Sequence, residues 1–416
     1  MIKPLILSAR DISGGAARAT YRLHRGLRGI GVESRMLVQS KASEDYTVIA
    51  PQTRLDKALS GQRHNLDELP FRLYPRRELV NYSTQWLPDL VHKKISQLNP
   101  DVINLHWICR GYLRIESISK LSKPVVWSLH DMWPFTGGCH YDQGCGRYTG
   151  SCGDCPQLHS RRDKDLSRWI WRRKAKSGQN ADITIVALSQ WLADCARKSS
   201  LFKDLRIEVI PNSLDIARFK PIDKRMSREI LNLPQDKKLV LFGAMGATRD
   251  LRKGFDLLQA TLKSLGQTDW KDKARLVIFG ASKPERHVDL GIPAYYMGTL
   301  KDDISLSLLY SAADVFVAPS RQDNLPNTVM ESIACGTPCA VFNIGGMPDM
   351  IDHQENGYLA EPFETGDLVH GITWILEDRE RHRKLSYHAR QKAEREYGLE
   401  LQARRYMALY KELVTE

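Results

Sequence analysis

The chain has 416 residues, 42% of them hydrophobic and 26% charged, with a formal net charge of +12. That length exceeds one ordinary core and predicts two domains of about 200 residues each. The composition excludes a disordered or fibrous chain, and no apolar run reaches the ~18 residues that a membrane-spanning helix needs.

The opening MIKPLILSARD has a short apolar run, then charge at once, with no cleavage-site pattern. It reads as a first strand and not as a secretion signal, so the cytosol is the expected compartment. PLILSA (4–9), SRMLVQ (34–39), DVINLHW (101–107) and PVVWSLH (124–130) are strand-like, and ARATYRLHRGLRGIG between the first two is helical in period. In ISGGAARAT, Gly14 and Gly15 sit between strand and helix, where backbone N–H groups can approach an anion. A plain tight turn fits those residues equally well.

The segment HDMWPFTGGCHYDQGCGRYTGSCGDCPQL (130–158) holds four of the eight cysteines. Cys139, Cys145, Cys152 and Cys155 have the spacing C-x5-C-x6-C-x2-C, with a single C-x-x-C. In a cytosolic chain a structural Zn2+ on four thiolates is expected, stiffening the loop after His130 and taking no part in catalysis. Reduced packing thiols and disulfides are the alternatives.

RRDKDLSRWIWRRKAK (161–176) carries eight basic and two acidic residues. Leu166, Trp169 and Ile170 share one helical stripe, flanked by Arg168, Arg172 and Arg173. Such a helix suits an anionic membrane, which would make the protein peripheral on its inner face. A helix packed through that stripe, with a solvated basic face, is the plainer expectation. Nucleic acid is not expected as a partner, since no zinc-finger, RNP or helix-turn-helix pattern accompanies the charge.

A second strand series follows: ITIVALS, RIEVIPN, KLVLFGA, RLVIFGA, DVFVAPS and PCAVFN. Strands alternating with helices predict an α/β protein of two Rossmann-like, doubly wound domains facing a cleft. The expected division is 1–215, 216–385, and a helical tail 386–416 packing across the junction. Ligands of such sheets bind beyond the carboxyl ends of the strands.

GATRDLRKGFDLL (246–258) places Arg249, Arg252 and Lys253 in a loop after a strand. SRQDNLPNTVMESIACGTPCAVFNIGGMPDMI (320–351) sets Asp323 and Glu331 eight residues apart, with a helix starting between them near Leu325 and Pro326. Amides at that helix mouth favour phosphate, basic side chains complete a diphosphate clamp, and carboxylates accept sugar hydroxyls.

These motifs, with ADVFVAPS, ACGTP, GGMPDMI, the early GGAA, the HD at 130–131 and VIPNSLD, resemble the large retaining GT-B glycosyltransferase family, glycosyl transferases group 1, of the bacterial polysaccharide type. The resemblance covers nearly the whole chain. It implies that Lys253 holds the donor diphosphate beside an arginine; Thr248 stands where that arginine is usual, so Arg249, ahead of Arg252, is expected to substitute. Asp323 stands at the first family carboxylate, commonly Glu, and acts in catalysis; Glu331 takes the nucleotide ribose. Asn324, Leu325 and Pro326 form the helix mouth that binds the donor, and Gly14 and Gly15 fall in a donor-binding motif. His130 positions donor and acceptor, with Asp131 as its candidate orienter, whereas His106 is expected to be structural. The implied donor is a UDP- or GDP-type nucleotide sugar and the acceptor a glycan or lipid-linked glycan, with no metal required for catalysis. A nucleotide-sugar epimerase or phosphorylase on the same fold is one alternative, and a zinc-stabilised basic binding protein another.

Overall fold

The apolar runs become the strands of two all-parallel sheets. The computed structural model describes residues 2–415 apart from 52, 90, 179–181, 244–245, 247–249, 284–287 and 301, and for 54–56 the backbone only. Its units are Met1–Pro211 with Glu400–Glu416, and Asn212–Leu399.

In the first unit the strands are β1 (Pro4–Arg10), β2 (Arg35–Ser40), β3 (Val48–Ile49), β4 (Val102–Leu105), β5 (Val125–Leu129), β6 (Ile183–Ala187) and β7 (Ile207–Val209). Their order is β3-β2-β1-β4-β5-β6-β7. Leu5 and Leu7 enter a core with Leu105, Trp127, Phe135 and Ile170. Ile6 points the other way, to Leu23, Val126, Tyr406 and Tyr410. Both faces are covered, which is why these strands read as continuous apolar runs.

The helix Leu399–Thr415 supplies part of that second face. The Tyr406 hydroxyl lies 2.8 Å from Ser128 Oγ, and Asn104 donates to the Tyr410 hydroxyl at 2.6 Å. The tail expected as one segment from 386 is therefore two helices, Arg379–Glu396 and Leu399–Thr415. They break at Tyr397–Gly398, where the Tyr397 carbonyl leaves helical pairing and accepts from Leu214 N at 2.8 Å. Glycine in a helix interior is itself unfavourable.

The second unit has β8 (Lys238–Gly243), β9 (Ala274–Phe279), β10 (Ala294–Tyr296), β11 (Val315–Ala318), β12 (Cys339–Phe342) and β13 (Gly357–Ala360), ordered β10-β9-β8-β11-β12-β13. The outer strands β3, β10 and β13 are absent from the sequence reading because each is short or begins at glycine. The strand order reverses at β1/β4 and again at β8/β11. Such switch points open a crevice beyond the strand ends.

The basic segment forms the helix Leu166–Gly178, with Leu166 and Ile170 buried in the core. Lys174 is buried as well. Its ammonium donates to the carbonyls of Trp133 and, at 3.0 Å, Thr136, and stands 3.7 Å from the Trp133 ring centre. Arg173 pairs with Glu116 at 2.6 Å and donates to the carbonyls of Thr84 and Gln85. Trp169 is left under the Arg173 guanidinium. Leu166 and Ile170 of the apolar stripe are thus used in packing, while Trp169 stays exposed beside the basic side chains. No helix among the described residues is long and apolar enough to cross a membrane.

Candidate active site

In the second unit the Lys-Gly-Phe loop is pressed against the end of β11. Asp250 accepts from Arg252 N and opens a short turn, Leu251–Lys253. Gly254 follows at φ 67, and a Cβ there would stand 1.9 Å from the Pro319 carbonyl oxygen. Only glycine satisfies both conditions. The turn delivers Lys253 to Asp323, with Nζ donating to Oδ2 at 2.6 Å, while Arg252 lies 3.2 Å from Oδ1. Gly345, at φ 55, lets its loop approach the Asp323 backbone, whose carbonyl accepts from Gly346 N at 3.1 Å.

Burial alone would raise the Asp323 pKa, but the charges of Lys253 and Arg252 outweigh it and hold the carboxyl at about 2. Burial lowers the Lys253 pKa, and Asp323 opposes that shift. Arg252 also lies 3.2 Å from Asp250, so two cations share two carboxylates. Arg249 lies outside the described residues.

Asn324 and Leu325 are buried, and Pro326 caps the helix Asn327–Ala334. Glu331, 3% exposed, accepts a hydrogen bond from the Tyr310 hydroxyl at 3.1 Å. Asp323 and Glu331 therefore flank one helix start, with cations against the first and a phenol against the second.

In the first unit Gly14 has φ 111 and caps the helix Gly15–Gly29. That conformation, and not crowding, requires glycine, since an added Cβ would meet open space. Thr20 on this helix reaches His130, which follows β5: Oγ1 and Nε2 are 3.4 Å apart. His106, which follows β4, puts Nδ1 2.9 Å from the same Nε2. The Thr20 hydroxyl donates to the Ala16 carbonyl. One of His130 Nε2 and His106 Nδ1 carries the shared proton and the other accepts it. His106 Nε2 is buried with no hydrogen-bond partner. Burial pushes His130 down to about 4 and His106 well below its ordinary value, so both rings are neutral at pH 7.

Asp131 is not the orienter of His130. Its carboxylate accepts from His140 Nδ1 at 2.6 Å, from Trp107 Nε1 at 2.9 Å and from Trp133 N at 2.9 Å. Adjacent residues beyond a strand end need not point the same way. His106 takes the partner position instead. Two strand-end histidines in successive strand-like runs were the available signal for it.

All four loop cysteines are unpaired thiols. Burial, then the neighbouring Cys155 and Cys152, raise the Cys139 thiol well above its usual range. Among the described residues no three His, Cys, Asp or Glu side chains are grouped as a metal site. The loop is secured by Lys174, by the His140–Asp131 pair, and by the Tyr82 hydroxyl donating to the Gly137 carbonyl at 2.8 Å.

Comparison with known proteins agrees with this geometry. Residues 13–218 match the family model "Glycosyltransferase Family 4", and 223–392 match "Glycosyl transferases group 1". A sulfoquinovosyl transferase of Arabidopsis thaliana is 25% identical over 79% of this chain, which spans only 58% of that protein. A D-inositol 3-phosphate glycosyltransferase of Nocardia farcinica is 23% identical, covering 93% of this chain and 82% of its own length. Among solved structures, sucrose-phosphate synthase from Thermosynechococcus elongatus aligns over 100% of both chains with TM-score 0.71 and 19% identity. Anabaena HepE in complex with UDP-glucose aligns over 99% of this chain and 100% of its own, with TM-score 0.66 and 17% identity. With two Rossmann-like units and both family models matched, the chain belongs to the glycosyl transferases of group 1, with the GT-B fold.

Proposed function

We propose that the chain moves a sugar from a UDP- or GDP-type nucleotide sugar to a glycan or lipid-linked acceptor, with retention of configuration, in cell-surface polysaccharide synthesis. The Arg252–Lys253–Asp323 cluster beyond β11 carries this reading. The UDP-glucose held by the similar Anabaena protein supports a nucleotide donor.

Cleaving a glycosyl phosphate builds positive charge on the sugar and negative charge on the departing phosphate. In the cluster the two cations are matched by Asp323 and Asp250. A diphosphate gains from Lys253 only by displacing the Lys253–Asp323 pair, and the amides at the start of Asn327–Ala334 add further attraction. Asp323, released, accepts a sugar hydroxyl, and Glu331 accepts from the ribose. Neutral His130 orients the reacting sugar and acceptor by hydrogen bonding. The acceptor oxygen bonds to the anomeric carbon as the bond to phosphate breaks, and the acceptor proton passes to that phosphate on the same face.

Thermal melting with a panel of nucleotide sugars tests the donor, since a bound ligand stabilises in proportion to the logarithm of concentration over affinity. No shift with any nucleotide or nucleotide sugar overturns the reading. NMR of the product's anomeric coupling tests retention separately.

A further inference from the structure

Beyond the carboxyl ends of β1, β2 and β3, the first unit holds a cleft of about 790 Å³. That is the size of a small-ligand site. Arg10, Lys41, Lys57, His64 and Arg110 line it together with Gln39, and no carboxylate is in the lining among the described residues.

Its positive charge is held there against two opposing forces. Arg110 has φ 62, a left-handed backbone uncommon for a residue with a side chain. The adjoining Gly111 is clamped, since a Cβ there would come within 3.0 Å of the Arg63 carbonyl and of Leu87. Burial, and then the like charge of Arg10, make the Arg110 cation costly, yet a guanidinium stays protonated. Glu68 favours the Arg110 charge, but it is exposed, lies 3.6 Å from His64 and is not part of the lining.

Gln39 adds a second, independent feature. Its Nε2 donates to the carbonyls of Ser60 at 3.0 Å and Arg110 at 3.5 Å, which fixes the orientation of the amide. Oε1 is then buried with no hydrogen-bond partner. An unsatisfied acceptor in a wall of cations calls for a ligand with both a hydroxyl and a negative charge.

We infer that this cleft binds the anionic end of the acceptor, a phosphate ester on a hydroxylated ligand, with Arg10 and Arg110 facing the phosphate and Gln39 accepting a hydroxyl. The word acceptor rests on the proposed transfer reaction; the anion binding does not.

The test uses the full chain in two arms. Calorimetry with glucose 6-phosphate, against glucose, reads a soluble phosphate ester. Flotation with phosphatidylcholine vesicles, with and without hexadecyl phosphate, reads a lipid-borne one. Arg10→Gln and Arg110→Asn are the variants, asparagine being chosen because it tolerates the left-handed backbone. Phosphate-dependent binding in either arm is expected to weaken about tenfold or more in each, as for the loss of one charge-assisted contact, with melting temperature unchanged. Lys253→Ala is expected to retain it. The arm that responds identifies the source of the phosphate. Binding indifferent to the phosphate, unchanged in both variants, or lost only in Lys253→Ala overturns the inference. A nucleotide-sugar panel with no response, beside intact phosphate binding in the cleft, would instead overturn the transferase reading alone.

Discussion

His106 Nδ1 lies 2.9 Å from His130 Nε2, and the two rings follow the adjacent parallel strands β4 and β5. The pair is neutral, so its part in the proposed transfer is to orient and not to supply a proton.

His130→Ala is expected to cut turnover by about 10²-fold or more while leaving nucleoside-diphosphate affinity unchanged, since the donor clamp is assigned to the other unit. His106→Phe, which removes the hydrogen-bond partner that holds the His130 ring, should lower turnover less, and His106→Asn should recover part of the loss. Activity should fall as pH drops towards about 4, where His130 becomes charged. A depressed histidine pKa means that the unfolded chain binds more protons between 6.5 and about 4. The His130 contribution to stability is therefore intact above 6.5 and declines as pH falls through that window. A flat pH–rate profile from 7 to 4 would remove His130 from the reaction.

Asp323 sits between Lys253 and Arg252, and its replacement leaves the partly buried Lys253 without its hydrogen-bonded counter-charge. Asp323→Asn is expected to cost roughly 3–5 kcal/mol at pH 7, read from urea unfolding. The Asp323 pKa is lowered from 3.8 to about 2, so its contribution is present above 3.8 and is lost as pH falls through about 2. The difference between wild type and variant should shrink over that interval. A pH-independent difference would mean that packing, and not charge, holds the cluster.

Glu331 and the ribose can be separated from Glu331 and the fold. Glu331→Gln keeps an acceptor for the Tyr310 hydroxyl and should weaken nucleoside-diphosphate binding by about 1 kcal/mol. Glu331→Ala removes the acceptor and should weaken it by roughly 1.5–3 kcal/mol. Calorimetry at constant pH reads both. Unchanged affinity in both variants would assign the buried carboxylate to the fold and not to the ribose.

A structural zinc on Cys139, Cys145, Cys152 and Cys155 stays a proposal that chelation decides. Burial pushes the Cys152 thiol up to about 11, so without a metal it is protonated at pH 7. Dialysis against a chelator is expected to release about one equivalent of zinc and lower the melting temperature by several degrees. Far less than one equivalent of zinc, with an unchanged melting temperature, would leave the four as reduced packing thiols.

Much of the fold is written in local sequence. PLILSA, PVVWSLH and RLVIFGA read as strands because both faces of a parallel sheet are buried, so apolar residues follow one another without alternation. The Lys-Gly-Phe turn and the Asp323–Glu331 spacing are equally local, for glycine conformation and helix period act within a few residues. The pairings are another matter. Lys253 meets Asp323 across 70 residues of sequence. His106 pairs with His130 while Asp131 turns to His140. Arg10 and Arg110 come to one cleft from positions 100 residues apart in the chain. Strand order decides which ends are neighbours, and packing decides which way each side chain turns. Neither is a property of a short stretch of chain, so composition and spacing name the chemical groups, and only the tertiary structure assigns their partners.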